Sequence, residues 1–228
     1  MKTIAIIPAR AGSKRIKSKN IKLLGEKPLI QYTIETALKS KYIDKVIVST
    51  NIESLKDLIE SYGNNKLEFN WRSEVLCGDL VSTEEVLNSI IDEHDEKTLE
   101  AVVTLLPTSP FKTVDVLDEC IETFFDNKAD SVLTVSQEKL KIGEYNENSK
   151  TFNLYNKNTP AHMHKLKLTT FDNPAVYVTK PKVLQEDNFI LGEKTFGVLI
   201  DKLSGLDIND DIDWTVAEVL IEKGLVNV

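Results

Sequence analysis

Short apolar runs recur along this chain with one amphipathic stretch between each pair, and this alternation restricts the architecture more than any single residue does. Ile4 to Pro8, Lys45 to Ser49, Leu67 to Trp71, Ala101 to Leu106 and Ser131 to Val135 read as strands, several of them apolar enough to be covered on both faces. Between them, Ile30, Ile34, Ala37 and Leu38 share one helical stripe, as do Val86, Leu87, Ile90 and Ile91, and then Leu117, Cys120, Ile121 and Phe124. Ser82 followed by Glu85 makes a capping box that opens the second of these helices. Strands alternating with helices imply crossover connections, so the expected fold is a three-layer α/β sandwich around a parallel sheet.

The alternation stops after Val135. Residues 136–170 are polar, lysine-rich and sprinkled with aromatics, and the stretch is long for a simple connection. Two readings fit it: a small β-rich insertion arm that packs against a partner subunit, or a mobile surface loop. Strands resume at Ala175 to Thr179 and Phe196 to Ile200, and a last helix runs from about Asp211 to Lys223 with Trp214, Ala217, Leu220 and Ile221 inward. A chain of 228 residues with 41% hydrophobic side chains and no internal repeat suits a single domain over 1–228 that carries the 136–170 insertion.

Lys and Arg number 28 against 36 Asp and Glu, for a net charge of −8. That balance disfavours a general nucleic-acid binder but leaves room for a local basic site that takes a small anion. The first apolar run is too short for a signal-peptide core, and no later run reaches the length of a membrane span, so a soluble, cytoplasmic protein is expected. Cys77 and Cys120 lie far apart and outside any CxxC spacing, which reads as two reduced thiols.

The stretch IPARAGSKRIKSKN, residues 7 to 20, follows the first strand directly. Gly12 and Ser13 can form a tight turn whose backbone N–H groups face an anion, and Arg10, Lys14, Arg15, Lys17 and Lys19 concentrate positive charge there. A triphosphate is the natural guest. A solvated basic loop is the plain alternative, but a loop outside the carboxyl end of the first strand is where open α/β sheets usually bind ligands. Neither GxGxxG nor GxxxxGK[ST] is present, which removes support from a dinucleotide oxidoreductase and from a Walker-type ATPase.

The same stretch resembles the N-terminal signature of the cytidylyltransferases that activate acidic eight- and nine-carbon sugars, the CMP-N-acylneuraminate synthetase family and its relatives for pseudaminic, legionaminic and 3-deoxy-manno-octulosonic acids. Four further segments are similar in the same order. They are IVSTN at 47 to 51, Arg72 with Leu76 and Asp79 (like RPxxLAxD), LLPTSPFKT at 105 to 113 (like LQPTSPLRT), and DINDDIDWTVAE at 207 to 218 (like DIDTxxDxxxAE). The resemblance implies a Rossmann-like nucleotide-diphospho-sugar transferase fold and a homodimer whose insertion reaches toward the other subunit's site. It also implies a Mg²⁺-dependent reaction in which the anomeric hydroxyl of a 2-keto sugar acid attacks the α-phosphorus of CTP and releases pyrophosphate.

Carried over residue by residue, the resemblance gives Arg10, Gly12, Ser13, Lys14 and Lys19 to the triphosphate, with Lys19 near the α-phosphate, and Asn20 to seating the nucleotide. Arg72, Thr108 and Ser109 would contact its base or ribose; their plain alternatives are a surface-paired Arg and a Ser/Thr turn beside Pro107 and Pro110. The metal would be held at Asp207 and residue 209, where the family commonly has a second Asp and this chain has Asn209. An amide oxygen still ligates Mg²⁺ but adds no charge. Asp210 or Asp211 could supply a replacement carboxylate; the plain alternative for Asp210, Asp211 and Asp213 is that they sit in the first turn of the last helix and favour its dipole.

Two departures bear on the acceptor. Leu106 stands where the family usually has Gln, and FDNPAVY, Phe171 to Tyr177, replaces FRPNGAIY, with Asp172 where an Arg would meet the sugar carboxylate. A compensating cation is expected from His164, Lys165 and Lys167 in the insertion; the plain alternative is solvent-facing loop residues. With Asn209, these departures also motivate a rival reading, a non-catalytic nucleotide-binding protein of the same fold.

Overall fold

The computed structural model describes residues 2–93, 98–156 and 162–226. The first half of the chain runs β1 (Lys2–Ala9), β2 (Leu23–Leu24), β3 (Lys27–Pro28), α1 (Leu29–Lys39), β4 (Lys45–Thr50), α2 (Ser54–Ser61), β5 (Leu67–Trp71), α3 (Thr83–Ile91) and β6 (Leu99–Thr104). The second half runs α4 (Val114–Asp126), β7 (Ser131–Glu138), β8 (Gly143–Asn146), β9 (Thr151–Leu154), β10 (Thr169–Thr179), α5 (Pro181–Asp187), β11 (Thr195–Leu199) and α6 (Asp211–Glu222).

Alternation within β1 explains the layers. Ile4 and Ile6, with Ile47 and Val102, pack on Val86, Leu87, Ile90 and Ile91 of α3 and on Leu184 of α5. Ala5, Ile7 and Ala9 face the other way, with Val46, Val48 and Val103, onto α1, α2 and α4. Successive strand residues point to opposite faces, so an unbroken apolar run fills both cores at once. A third cluster joins Trp214 and Ala217 of α6 to Leu24, Leu29 and Ile16, which brings the end of the chain against the loop after β1. Each fully buried Val, Leu or Ile side chain stabilises the fold by about 1.5–3 kcal/mol. The capping box is present, with Ser82 N–H donating to Glu85 Oε2 (2.7 Å) and Glu85 N–H to Ser82 Oγ (3.2 Å).

Among the described residues the main sheet has seven strands in the order β11-β7-β10-β6-β1-β4-β5. β1 pairs in parallel with β4 and β6, β4 with β5, and β7 with β11. The parallel expectation fails at one strand, because β10 lies antiparallel between β6 and β7. The described chain between β7 and β10 holds a hairpin and one 3-10 turn rather than a crossover helix, so it returns beside the strand it left.

That excursion is shorter than the sequence pattern implies. Ser136 to Glu138 and Thr169 to Thr170 belong to the main ladder, Glu138 opposite Thr169, and the hairpin β8–β9 occupies 143–154 with Tyr145 opposite Phe152. β10 also bulges between Asp172 and Tyr177, which pair with Val135 and Leu133. Thr134 holds the bulge: its hydroxyl donates to the Asn173 carbonyl (2.6 Å) and accepts from Val176 N–H (3.1 Å). The detour brings the Tyr177 hydroxyl onto both Asp172 carboxylate oxygens, at 3.0 and 2.9 Å.

Candidate active site

Parallel strands deliver their following loops to one edge of a sheet, and ligands bind outside that carboxyl edge. Here the edge collects the loop after β1, Arg72 after β5, the Leu105–Thr113 loop after β6 and the segment after β11 that leads to Asp207. A cleft of ≈ 360 Å³ opens between them, lined by Arg10, Gly12, Ser13, Lys14, Arg15, Lys19, Asn20, Arg72, Thr108 and Asn209, among others. Lys17 is exposed and is not part of this lining.

The loop after β1 is fixed by bonds to distant residues. Ala11 N–H donates to Asn51 Oδ1 (2.8 Å), and the Asn20 amide donates to the Arg10 carbonyl (3.0 Å). The Arg10 guanidinium donates to the Cys77 carbonyl (3.1 Å) and to Asp79 (2.8 Å), and Lys14 reaches the other Asp79 oxygen at 2.8 Å. These two cations hold the Asp79 carboxyl below its usual range, Lys14 contributing most. Ser13 N–H donates back to the Ala11 carbonyl (2.9 Å), so of the two N–H groups expected to face an anion this one is already taken.

Ser18 adopts a left-handed conformation (φ 54°), which turns the chain into the 3-10 turn Lys19–Ile21 and aims Lys19 across the cleft. Its ammonium donates to the Ile208 carbonyl (2.8 Å), between Asp207 and Asn209. Burial pulls the Lys19 pKa below the ordinary lysine value, while the charge of Asp207 opposes the shift. Arg72 is 5% exposed and donates to the Ser49 carbonyl (2.8 Å) and hydroxyl (3.3 Å), so it is a buried cation at the cleft wall rather than a surface-paired one.

Asn209 Nδ2 donates to Asp207 Oδ2 (2.6 Å), while Asp207 Oδ1 is buried with no protein hydrogen-bond partner. A buried carboxylate oxygen without a donor is costly unless a cation meets it. The donor set, one carboxylate and one amide oxygen, suits a hard ion that keeps water and phosphate ligands. Asp210 and Asp213 are otherwise engaged. Asp210 caps α6 by accepting from Ile212 and Asp213 N–H, and Asp213 accepts from Asn209 and Asp210 N–H. No group of three His, Cys, Asp or Glu residues fit to hold a metal occurs among the described residues.

Several expected site residues stand apart. Thr108 lines the cleft, but Ser109 is fully buried behind it, its hydroxyl unpartnered in the protein. His164, Lys165 and Lys167 are exposed and line no part of the cleft; His164 instead stacks on His162 at 5.5 Å. Two further residues lie inside the similar segments 47–51 and 105–113, where the sequence pattern assigned them no individual role. Asn51 anchors the β1 loop from the exit of β4, and Lys112, at 2% exposure, lies beneath the Leu106–Thr108 wall. Burial pulls the Lys112 pKa down to about 7, with Asp207 opposing.

Comparison with known proteins gives the family of the chain. The sequence profile of the family described as cytidylyltransferase matches residues 4–193. The chain belongs to the cytidylyltransferase family. It is 32% identical over 235 residues to a CMP-N,N'-diacetyllegionaminic acid synthase of Legionella pneumophila, covering 97% of each protein. It is also 32% identical over 232 residues to an N-acylneuraminate cytidylyltransferase of Escherichia coli, where it covers 97% of its own length and spans only 52% of that longer protein. Among solved structures, a CMP-2-keto-3-deoxy-manno-octonic acid synthetase complexed with CTP superposes with a TM-score of 0.72 at 15% identity, over 98% of this chain and 100% of the other. That likeness shows a Rossmann-like α/β fold. No helix among the described residues of this cytidylyltransferase is long and apolar enough to cross a membrane.

Proposed function

We propose that this cytidylyltransferase moves CMP from CTP to the anomeric hydroxyl of an acidic 2-keto sugar of the nonulosonic class and releases pyrophosphate. The observation that carries the reading is the Lys19 ammonium bound to the Ile208 carbonyl (2.8 Å), which joins the basic loop to the Asp207–Asn209 segment across one cleft. The names of the relatives support the acceptor class, and the CTP in the similar solved structure supports the donor.

In this reading a triphosphate displaces Asp79 from Arg10 and Lys14, because it offers those cations more charge than one carboxylate does. Lys19 then stands where negative charge grows at the α-phosphorus, already partly desolvated and held by Ile208. Arg72 and Thr108 close the wall against the nucleotide, and Asn20 acts by fixing the Arg10 backbone. Asp207 Oδ1 and the Asn209 amide oxygen would hold Mg²⁺, which when bound neutralises phosphate charge. The sugar–oxygen bond to phosphorus forms as the bond to pyrophosphate breaks, and the hydroxyl proton is lost to solvent. Positioning and charge neutralisation do most of this work.

The chain acts as a homodimer in this reading, the hairpin arm covering a second copy. Tyr145 and Phe152 support it, since this cross-strand aromatic pair is 55% and 54% exposed in the single chain. A cytoplasmic location goes with this reading. The test is pyrophosphate release from CTP with Mg²⁺ across a panel of legionaminic, pseudaminic, neuraminic and 3-deoxy-manno-octulosonic acids. Turnover with at least one is expected. Tight CTP binding with no turnover on any of them would hand the cleft to the non-catalytic nucleotide-binding reading.

A further inference from the structure

Lys112 is a buried lysine with no carboxylate partner among the described residues. It is 2% exposed, and its ammonium donates to three neutral oxygens: Thr33 Oγ1 on α1 (2.9 Å), the Leu106 carbonyl (2.9 Å) and the Ser109 carbonyl (2.5 Å). Three N–H groups meet three acceptors, and a neutral amine could satisfy only two of them. Burying a cation is costly, so a chain that needed only to fill this space would be better served by an apolar side chain.

The acceptors explain what the charge does. Leu106 and Ser109 are the two ends of one turn, closed by Ser109 N–H on the Leu106 carbonyl (3.3 Å), and Leu106, Pro107 and Thr108 form the cleft wall. The Thr108 carbonyl accepts from Ile208 N–H (2.8 Å), and the Ile208 carbonyl accepts from Lys19 (2.8 Å). A continuous chain of hydrogen bonds therefore runs from α1 through Lys112 and the turn to Ile208 and Lys19.

We propose that Lys112 is a positioning residue for CMP transfer: it pins both ends of the Leu106–Ser109 turn to α1 and thereby sets where Ile208 holds Lys19 and Asp207. The proposal rests on the transfer reading above and touches no reacting atom itself. Displacing a catalytic group by an ångström costs on the order of a hundredfold in rate.

The test compares Lys112→Met, which removes the three donors at similar volume, with Lys112→Arg, which keeps the charge. Lys112→Met is expected to lower kcat by roughly thirtyfold or more while KM for CTP stays within about threefold, and Lys112→Arg to recover most of the loss. A folded Lys112→Met enzyme with kcat within about threefold of wild type overturns the proposal, as does Lys112→Arg no better than Met. Should Lys112→Met not fold, Thr33→Val decides in its place. A fall in kcat of about threefold or more at unchanged KM for CTP supports the tie, and wild-type kcat overturns it. Amide exchange at Ile208 needs no substrate and separates this proposal from the transfer reading. Faster exchange in Lys112→Met or Thr33→Val supports the tie even in a protein that turns over no sugar, and unchanged exchange overturns it.

Discussion

Around the nucleotide cleft, polar side chains are tied to residues far away in sequence: Ala11 to Asn51, Arg10 to Asp79, Lys19 to Ile208, Lys112 to Thr33. Within the described hairpin β8–β9 the side-chain ties are short, although Lys139 beside it reaches the His164 carbonyl (3.1 Å). Asn146 accepts from Asn148 and Ser149 N–H, Ser149 bonds Thr151, and the apolar side chains of Tyr145, Phe152 and Tyr155 face outward. Long-range bonds set a geometry before any ligand arrives, whereas a locally bonded hairpin takes its final position from what it contacts. On the proposed function, the nucleotide half is preorganised within one chain and the acceptor half awaits a partner or a substrate.

The sharpest way to break that contrast is at Asp207, whose Oδ1 is buried without a hydrogen-bond partner among the described residues. Asp207→Ala is expected to lower metal-dependent transfer by about 10³-fold or more, while Asn209→Asp keeps or raises activity and lowers the Mg²⁺ needed for half-maximal rate. A Mg²⁺ titration of pyrophosphate release checks both. Loss of activity in Asn209→Asp would mean that the amide donating to Asp207 is itself required.

Next is Lys19→Ala, expected to reduce kcat by about 10²–10³-fold with CTP affinity changed only a few-fold, because the charge it meets develops mainly in the transition state. Steady-state kinetics with calorimetric CTP binding separates the two quantities. An unchanged kcat with a raised KM would make Lys19 a uniform phosphate ligand and weaken the case that its tie to Ile208 matters.

Legibility in the sequence followed the same division. β5 falls at Leu67–Trp71 as the apolar run indicates, and the stripes of α1, α3 and α4 face the cores, because each repeats over two or more turns. α2 and α5 escape the pattern: they bury only Leu55 and Ile59, and Pro181 and Leu184, too few points to show a period. Pro181 at a helix start was the available signal for α5. The direction of β10 was illegible because periodicity reports a strand's faces and not its polarity. Of the site, the basic loop and Asp207 were visible as local runs of charge. Lys112 was not, since a lysine next to the Thr113 cap looks like surface until Thr33, 79 positions away, is brought to it.

In the acceptor half the contrast can be sharpened with substrates. Tyr177 already occupies both oxygens of Asp172, and among the described residues no cation is paired with that carboxylate. N-acetylneuraminate is therefore expected to be poorer than another 2-keto sugar acid by about a hundredfold in kcat/KM, since an unpaired buried carboxylate costs several kcal/mol. Competition assays measure the ratio directly, and Asp172→Arg should narrow it. Equal use of both acids by the wild type would show that the carboxylate is met elsewhere.

The smallest expected effect lies on the arm. Lys165 and Lys167 are exposed and line no part of their own cleft, with Leu166 buried between them, so this turn is anchored while its charges point outward. If the arm covers a second copy, those charges reach that copy's acceptor pocket, where a screened, partly exposed pair contributes about 1 kcal/mol. The double variant Lys165→Ala, Lys167→Ala should then lower kcat/KM for the sugar by roughly five- to tenfold and leave KM for CTP as it was. Mixing it with a Lys19→Ala protein sharpens the point. A lysine that works across the interface is supplied by the Lys19→Ala chain to an intact cleft on its neighbour, so mixed dimers recover wild-type kcat/KM per intact cleft. A lysine that works within its own chain cannot be lent in this way, and mixtures would then show no recovery. Recovery therefore assigns the arm to the neighbouring cleft, and an unchanged kcat/KM in the double variant removes it from acceptor binding altogether.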